Sequence, residues 1–266
     1  MTGRPPPSAA AGTVVFDLDG VVYVGQEGVP GAGAALLAIE EAGFYLIFAT
    51  NNSSATQSSV VEKISRLTGY VGAPLGVVTS GMAAASYVAS RYESVYVIGE
   101  PALTETLEAT HLTVTDSHSA VDAVVVGIDF SFSYDKLDAA VRAIRNGAAF
   151  VATNTDATYP TATGQAPGAG SLVAAVQTAS GVAPIVCGKP HQPMIDMLND
   201  LRIGETTWMV GDRPETDIAT AASAGWQSIL TLTGVISSPD DIGDGPTPDH
   251  IVASISDVPA VVLGSG

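Results

Sequence analysis

Short apolar runs alternate along the chain with longer segments in which apolar residues recur at helical spacing. The apolar runs predict strands at Thr13–Phe16, Phe44–Ala49, Val95–Ile98, Val121–Val126, Ala148–Ala152, Ile185–Cys187, Thr207–Val210 and Ser228–Leu232. The helical spacing predicts helices at Pro30–Gly43, Thr56–Leu67, Tyr134–Arg145, Gly170–Ser180, Gln192–Leu201 and Glu215–Ala224. Because alternating strands and helices are typical of a parallel sheet covered by helices on both faces, the sequence predicts an α/β fold.

The length and composition limit the classes of protein that need to be considered. With 266 residues, the chain can form one large domain or a core with an inserted module. Only 14% of the residues are charged and 46% are hydrophobic, which argues against a disordered protein. The formal net charge of −17 excludes a general nucleic-acid binder and disfavours an anionic membrane surface as a partner. An acidic surface that favours solubility is the simplest explanation of this charge.

The cellular setting is predicted from the cysteine content and from the apolar runs. Cys187 is the single cysteine, so no intramolecular disulfide can form, and a reducing, cytoplasmic environment is expected. Residues 1–12 lack the apolar stretch of a signal peptide. No apolar run approaches the roughly 18 residues that a membrane-spanning helix needs, so we expect a soluble protein without a membrane partner.

Polar residues that could take part in catalysis or binding follow the first two predicted strands. Asp17 and Asp19 come after the first strand, and their spacing at a strand end places both side chains on one side of the backbone. The second strand is followed by Thr50–Ser54, a run of hydrogen-bond donors in front of a predicted helix. Small donors and backbone N–H groups at a helix start suit an oxyanion, although a turn or a simple helix cap would also explain each pattern.

Two later strands are followed by further charged residues. Lys189 lies between Gly188 and Pro190, and it is one of three lysines in the chain. Asp212 and Asp217 lie in a turn that opens a helix, where an acidic residue is also common for structural reasons. Since the carboxyl ends of parallel strands lie at one edge of a sheet, all these groups together predict one site. Carboxylates that converge need a cation among them, and hard oxygen ligands suit Mg²⁺, so a phosphoryl-transfer site is indicated.

These motifs, in this order, resemble those of the haloacid dehalogenase (HAD) superfamily of phosphatases. They are DLDGVVY at Asp17–Tyr23, TNNSS at Thr50–Ser54, GKP at Gly188–Pro190 and GDRPETD at Gly211–Asp217. Their spelling is similar to that of the NagD-like, p-nitrophenyl phosphatase branch. The resemblance implies a Rossmann-like, three-layer core in residues 1–78 and 187–266. It also implies a smaller α/β cap domain in residues 79–186, through which the protein could form a homo-oligomer.

The resemblance implies a role for each residue of the motifs. Asp17 would be the nucleophile that forms an aspartyl-phosphate, and Asp19 would be the general acid and then the general base. The Mg²⁺ ligands would be Asp17, the backbone carbonyl of Asp19, and Asp212, while Asp217 would orient metal-bound water or Lys189. Lys189 would also neutralise charge on the nucleophile and on the transferring group. The other candidates for binding the phosphate or the substrate are Thr50, Asn51, Asn52, Arg213, Asn154, Asp156 and Tyr159.

The predicted function is Mg²⁺-dependent hydrolysis of a small-molecule phosphomonoester. A cap excludes macromolecules, and the branch implies glycerol phosphate, phosphoglycolate, nucleoside monophosphates, sugar phosphates or pyridoxal phosphate as candidate substrates. A phosphomutase or another transferase of the superfamily is an alternative, and so is a non-catalytic binding protein on the same scaffold. A dehalogenase is disfavoured, because cleavage of a carbon–halogen bond needs neither the acid Asp19 nor the metal ligand Asp212.

Three lesser patterns have structural interpretations. Gly31–Leu36 lacks the last glycine of a dinucleotide-binding loop and is interpreted as the start of a helix. Pro167–Ser171 could hold an anion at a helix start or form a flexible loop of the cap. Cys187 is expected to be a small buried residue without a nucleophilic role.

Overall fold

The computed structural model describes residues 11–72, 76–116, 120–161, 164–243 and 245–264. The strands are β1 (Gly12–Phe16), β2 (Tyr23–Val24), β3 (Glu27–Gly28), β4 (Phe44–Thr50), β5 (Gly76–Thr79), β6 (Ser94–Ile98), β7 (Thr113–Val114), β8 (Ala123–Val126), β9 (Ala149–Ala152), β10 (Thr158–Thr161), β11 (Gly164–Pro167), β12 (Ile185–Val186), β13 (Thr206–Gly211), β14 (Gln227–Thr231) and β15 (His250–Val252). The helices are α1 (Ala32–Glu41), α2 (Gln57–Thr68), α3 (Ser80–Ala89), α4 (Pro101–Glu108), α5 (Tyr134–Arg145), α6 (Ala169–Ser180), α7 (Gln192–Leu201), α8 (Ala219–Ala224) and α9 (Val258–Val262). The predicted α/β fold class is confirmed.

The chain divides into two compact units. The first unit comprises the chain up to Thr50 together with residues 57–78 and 195–266, and the second comprises residues 51–56 and 79–194. The second unit therefore contains the predicted cap region and also the segments 51–56 and 187–194. Hydrogen bonds hold these two segments to it, because Asn51 bonds to Lys189 and Asn154, and Ser53 bonds to Thr153.

The first unit is built on a six-stranded sheet with the order β15-β14-β13-β1-β4-β5. The central strand β1 pairs in parallel with both β13 and β4, and β14 and β15 extend the parallel arrangement. Phe16 of β1 and Phe48 of β4 are fully buried, and their stacked rings have centroids 5.9 Å apart. The carboxyl ends of three neighbouring strands thus bring Asp212, Asp17 and Thr50 to the same edge of this sheet.

The second unit is built on a five-stranded parallel sheet with the order β12-β9-β8-β6-β7. Helices α5 and α6 pack on this sheet through a buried apolar cluster that includes Ile144, Phe150 and Val176. Strands β10 and β11 form an antiparallel hairpin. Because β9 and β12 are neighbours, the loops that follow them lie side by side, and these loops carry Asn154, Asp156 and Lys189.

The structure confirms most of the predicted strands and helices within one to three residues of their ends. The predicted helix Glu215–Ala224 consists of a single π-helical turn, Pro214–Ile218, followed by α8. Gly31 caps the start of α1 with a φ of 81°, which confirms its interpretation as a helix start. Helix α3 was absent from the prediction because its Ala, Gly and Ser residues are buried around most of its circumference, so no polar face alternates with an apolar one.

The helices of the described part of the chain are short. None of them combines the length and the apolar composition that crossing a membrane requires.

Candidate functional site

A cluster of three buried carboxylates lies at the carboxyl edge of the sheet in the first unit. It consists of Asp17, Asp212 and Asp217, and each offers an oxygen atom within 4.8 Å of the others. All three side chains are buried, with Asp212 and Asp217 only 1% exposed. Carboxylates held this close repel one another unless a cation lies among them, so the cluster could hold a divalent metal ion.

Hydrogen bonds of the backbone hold the strand ends that carry this cluster and orient the side chain of Asp217. The N–H of Asp17 donates to the carbonyl of Val210 at 2.8 Å and so continues the pairing of β1 with β13. Oδ2 of Asp217 accepts from the N–H groups of Asp212 and Arg213 at 3.2 and 3.1 Å. The π-helical turn therefore folds Asp217 back onto the end of β13, which explains the spacing of the two acids. The donor set consists of hard oxygen atoms, and it fits the predicted metal.

Two glycines leave the space that Asp212 occupies. A Cβ atom at Gly234 would lie 1.9 Å from Oδ2 of Asp212, and one at Gly20 would lie 2.4 Å from the same atom. Gly20 also has a φ of 96°, which other residues rarely adopt. The N–H of Val235 donates to Oδ2 of Asp212 at 2.7 Å, so the loop after β14 both confines this carboxylate and holds it.

Replacing Gly234 by alanine is expected to displace the Asp212 carboxylate and to weaken metal binding by about 10- to 100-fold, as changes in the groups around metal ligands typically do. Titration with Mg²⁺, followed by the melting temperature, measures this affinity. Val235→Ala is the matched control, because it lies in the same loop and keeps the N–H that holds Asp212. Equal Mg²⁺ affinity in Gly234→Ala and the wild type would contradict the role of this loop.

Asp19 lies beside Lys63, a lysine outside the four sequence motifs. Its side chain is 37% exposed, and its Oδ1 lies 3.9 Å from Nζ of Lys63 on α2. The same Nζ lies 3.8 Å from the centre of the Tyr23 ring. Burial lowers the pKa of Lys63, and burial together with the neighbouring Asp19 and Asp17 raises the pKa of Tyr23. Only the scarcity of lysine could have drawn attention to Lys63 from the sequence.

The second unit carries a polar cluster around Asn51 and Lys189. Oδ1 of Asn51 accepts from the N–H of Lys189 at 2.8 Å, and Nδ2 donates to the carbonyl of Lys189 at 3.2 Å. Nδ2 also lies 3.2 and 3.4 Å from the two carboxylate oxygens of Asp156. Asn154 donates to the backbone carbonyl of Asn51 at 2.7 Å. The second unit thus brings together the candidates Asn51, Asn154, Asp156 and Lys189.

The other predicted residues lie in varied surroundings. Thr50 is buried at the end of β4 in the first unit. Asn52 is exposed, and its Oδ1 accepts from the N–H and the hydroxyl of Ser54. Arg213 stands immediately before the π-helical turn. Tyr159 lies on the hairpin of the second unit, and the centre of its ring is 6.3 Å from that of the exposed Phe130.

The segment Pro167–Ser171 supports the loop that carries Asn154 and Asp156. A Cβ atom at Gly168 would lie 2.3 Å from the carbonyl oxygen of Asp156, and one at Gly170 would lie 2.2 Å from that of Thr155. The N–H groups of Gly168 and Gly170 donate to the carbonyls of Ala157 and Asp156. These glycines therefore serve close packing, and their N–H groups bind the protein's own loop instead of an anion.

Cys187 is fully buried, as expected from the sequence. Burial raises the pKa of its thiol to about 12. The thiolate that a nucleophilic role requires is therefore scarce at neutral pH.

Comparison with known proteins identifies the family of the chain. Residues 14–113 match a family model described as haloacid dehalogenase-like hydrolase, and residues 186–258 match one described as HAD-hydrolase-like. The 5'-nucleotidase YutF of Bacillus subtilis is 36% identical over 249 residues, which cover 91% of this chain and 95% of that protein. The chain therefore belongs to the haloacid dehalogenase-like hydrolases, as its motifs predict.

Two solved structures have the same fold. NagD from E. coli K-12 is 33% identical, with a TM-score of 0.84 over 94% of this chain and 98% of its own. The glycerol phosphate phosphatase of Mycobacterium tuberculosis, solved with magnesium, is also 33% identical, with a TM-score of 0.81 over 91% of this chain and 74% of its own. The NagD-like branch is thereby confirmed, and the chain is an enzyme of the phosphomonoester hydrolase class.

Proposed function

We propose that this protein is a Mg²⁺-dependent phosphatase that hydrolyses a small-molecule phosphomonoester through an aspartyl-phosphate on Asp17. The observation that carries the proposal is the buried cluster of Asp17, Asp212 and Asp217, whose oxygens lie within 4.8 Å of one another. Such a set of hard oxygen ligands suits Mg²⁺, and the related glycerol phosphate phosphatase was solved with magnesium. The backbone carbonyl of Asp19 is the further ligand that the motif provides.

Hydrolysis takes two steps, and both Asp17 and Asp19 act in each of them. In the first step an oxygen of Asp17 attacks phosphorus while the bond to the alkoxide breaks, and Asp19 gives its proton to the alkoxide. In the second step Asp19 takes a proton from water, whose oxygen attacks phosphorus, and Asp17 leaves as the free carboxylate. A bound Mg²⁺ would supply positive charge against the phosphoryl oxygens.

The remaining motif residues are proposed to bind and stabilise the phosphoryl group. Thr50 and Asn52 supply hydrogen-bond donors, and Lys189 and Arg213 supply positive charge. The Asn51 side chain already donates to Asp156 and Lys189. The proposed contact of Asn51 with the phosphoryl group is therefore made by its backbone N–H. These charges are local, and they allow a protein with a net charge of −17 to act on an anionic substrate.

The substrate is proposed to be a small soluble phosphate. Among the relatives, one is named a 5'-nucleotidase and another a glycerol phosphate phosphatase. Nucleoside monophosphates and glycerol phosphate therefore come first among the candidates, followed by sugar phosphates, phosphoglycolate and pyridoxal phosphate. Tyr159 is proposed to contact the organic part of the substrate. Asn154 is buried, and its amide bonds to the backbone of Asn51 and Asp156, so it is proposed to support the loop after β9.

Release of inorganic phosphate from this panel of esters, with and without Mg²⁺, tests the proposed function. We expect Mg²⁺-dependent release from at least one ester, with one phosphate formed for each alcohol. A phosphomutase would instead form an isomeric ester without net phosphate. Absence of release from every ester, together with failure of beryllofluoride to stabilise the protein, would overturn the proposal in favour of a non-catalytic binding protein.

A further inference from the structure

The side chain of Asn51 forms a paired contact with the backbone of Lys189. Its Oδ1 accepts from the Lys189 N–H at 2.8 Å, and its Nδ2 donates to the Lys189 carbonyl at 3.2 Å. A primary amide offers one carbonyl oxygen and two N–H donors. One amide therefore holds both polar backbone groups of the same residue, although the two residues lie 138 positions apart in the chain.

Asp156 receives the second N–H of this amide. Nδ2 of Asn51 lies 3.2 Å from Oδ2 and 3.4 Å from Oδ1 of Asp156. A hydrogen bond to a carboxylate is stronger than one between neutral groups. The carboxylate thus fixes which end of the Asn51 amide faces it, and this orientation directs the amide oxygen towards the Lys189 N–H.

The backbone of Asn51 is held as firmly as its side chain. Its carbonyl accepts from Nδ2 of Asn154 at 2.7 Å and from the hydroxyl of Ser80 at 2.6 Å. Oδ1 of Asn154 in turn accepts from the N–H of Asp156 at 3.0 Å. The network therefore closes on itself, and it connects the loop after β9 with Asn51 and Lys189.

Three glycines leave room for this network. A Cβ atom at Gly188 would lie 2.5 Å from Oδ1 of Asn51 and 2.6 Å from the carbonyl oxygen of Thr153. Gly168 and Gly170 pack with similar closeness against the backbone of the loop that carries Asp156. The GKP motif thus requires glycine at position 188 for a steric reason, since a larger residue would push the Asn51 amide away from Lys189.

We infer that Asn51, through its side chain, and Asp156 are positioning residues that fix Lys189. The inference rests on the proposed function, in which the Lys189 ammonium stabilises the transferring phosphoryl group. Lys189 is only 4% exposed, and a long lysine side chain is useful for this purpose only when its backbone is fixed. A small misplacement of a catalytic group can cost about 100-fold in rate. Asp156 accordingly acts through Asn51 and Lys189, and it does not select the substrate by contacting it.

A double-mutant cycle between Asn51→Ala and Lys189→Ala tests this inference. Asn51→Ala is expected to lower kcat by about 10- to 100-fold and to leave KM within about threefold, because a charge-assisted network is lost. In the Lys189→Ala background, the same change is expected to lower kcat by less than about threefold. Asn146→Ala, at the exposed end of α5, is the control and should leave kcat unchanged.

Variants of Asp156 distinguish positioning from substrate recognition. Asp156→Ala is expected to lower kcat about tenfold by the same ratio for every ester that the enzyme accepts. Asp156→Asn keeps an acceptor oxygen for the Asn51 amide and should recover most of this loss. A change in the relative preference among esters would show that Asp156 touches the substrate, and would overturn the inference.

Hydrogen exchange at the Lys189 amide provides a readout that does not depend on activity. Asn51→Ala is expected to increase the exchange rate of this amide by about tenfold or more, because its acceptor is removed. The Cys187 N–H, which donates to the carbonyl of Ala152 at 2.9 Å, should exchange as in the wild type. Unchanged exchange at Lys189 would overturn the inference even if the protein proved to have another activity.

The outcomes of these experiments separate the inference from the proposed function. Full activity in Lys189→Ala would refute the role proposed for Lys189, while the exchange experiment would still decide whether Asn51 fixes its backbone. A loss of activity in Lys189→Ala combined with an additive effect of Asn51→Ala would refute the positioning role alone. The melting temperature of each variant is measured beside its activity, and a melting temperature well above the assay temperature excludes unfolding as the cause of lost activity.

Discussion

Asp17→Asn is expected to lower the rate of phosphate release by about 10⁴-fold or more, because an amide cannot form the phosphoryl-enzyme. The side chain keeps nearly the same volume, so the fold should be preserved. Removing one of three crowded carboxylates is also expected to leave the melting temperature of the metal-free protein unchanged or to raise it. Single-turnover assays of phosphate release and thermal unfolding by circular dichroism measure the two effects.

Asp200→Asn is the matched control for this prediction. Asp200 is an exposed acid on α7 in the same unit, so its replacement changes the charge by the same amount without touching the cluster. We expect its activity to equal that of the wild type. If Asp17→Asn retains more than a few per cent of wild-type activity, another group must be the nucleophile, and the proposed mechanism is wrong.

Removal of the divalent metal is expected to have the second largest effect. In excess EDTA the activity should fall below about 1% of that with Mg²⁺, because the charge on the phosphoryl oxygens is no longer compensated. Saturating Mg²⁺ is expected to raise the melting temperature by about 5 °C or more, since it binds the folded cluster and relieves the repulsion among Asp17, Asp212 and Asp217. Activity and melting temperature should titrate with the same apparent affinity.

Asp212→Asn provides the comparison that assigns this effect to the cluster. The variant should lose most of the Mg²⁺-dependent rise in melting temperature, because a strong ligand has been replaced by a weaker neutral one. Asp200→Asn should show the full rise. If Mg²⁺ raises the melting temperature of Asp212→Asn as much as that of the wild type, the ion binds elsewhere in the protein.

The fold was predictable from the sequence where local patterns are strong. Buried strands such as β1 and β4 appear as apolar runs, and α5 appears as an amphipathic segment. Helix α3 could not be recognised in this way, because contacts with the rest of its unit bury nearly all its faces. The attachment of the segments 51–56 and 187–194 to the second unit was equally inaccessible, since it depends on hydrogen bonds between segments that are about 100 residues or more apart.

Most residues of the candidate site were predictable from the sequence, but few of the contacts between them were. The order of strands and motifs indicated that Asp17, Asp212 and Asp217 would meet, and the structure places their oxygens within 4.8 Å. The ion pair of Asp19 with Lys63 gave no comparable signal, because α2 brings Lys63 to Asp19 from a distant part of the sequence. A pattern of neighbouring residues contains no information about such a contact.

The sequence by itself determined the fold class, the family and the identity of the acids at the sheet edge. These properties follow from hydrophobic periodicity and from short motifs, in which every informative residue lies within a few positions of the next. Only the tertiary structure decided that the Asn51 amide spans the backbone of Lys189 and the carboxylate of Asp156, and that Gly188 must be small. The physical reason is that hydrogen-bond direction and steric exclusion act between atoms in space, and folding brings together residues that the chain keeps more than 100 positions apart.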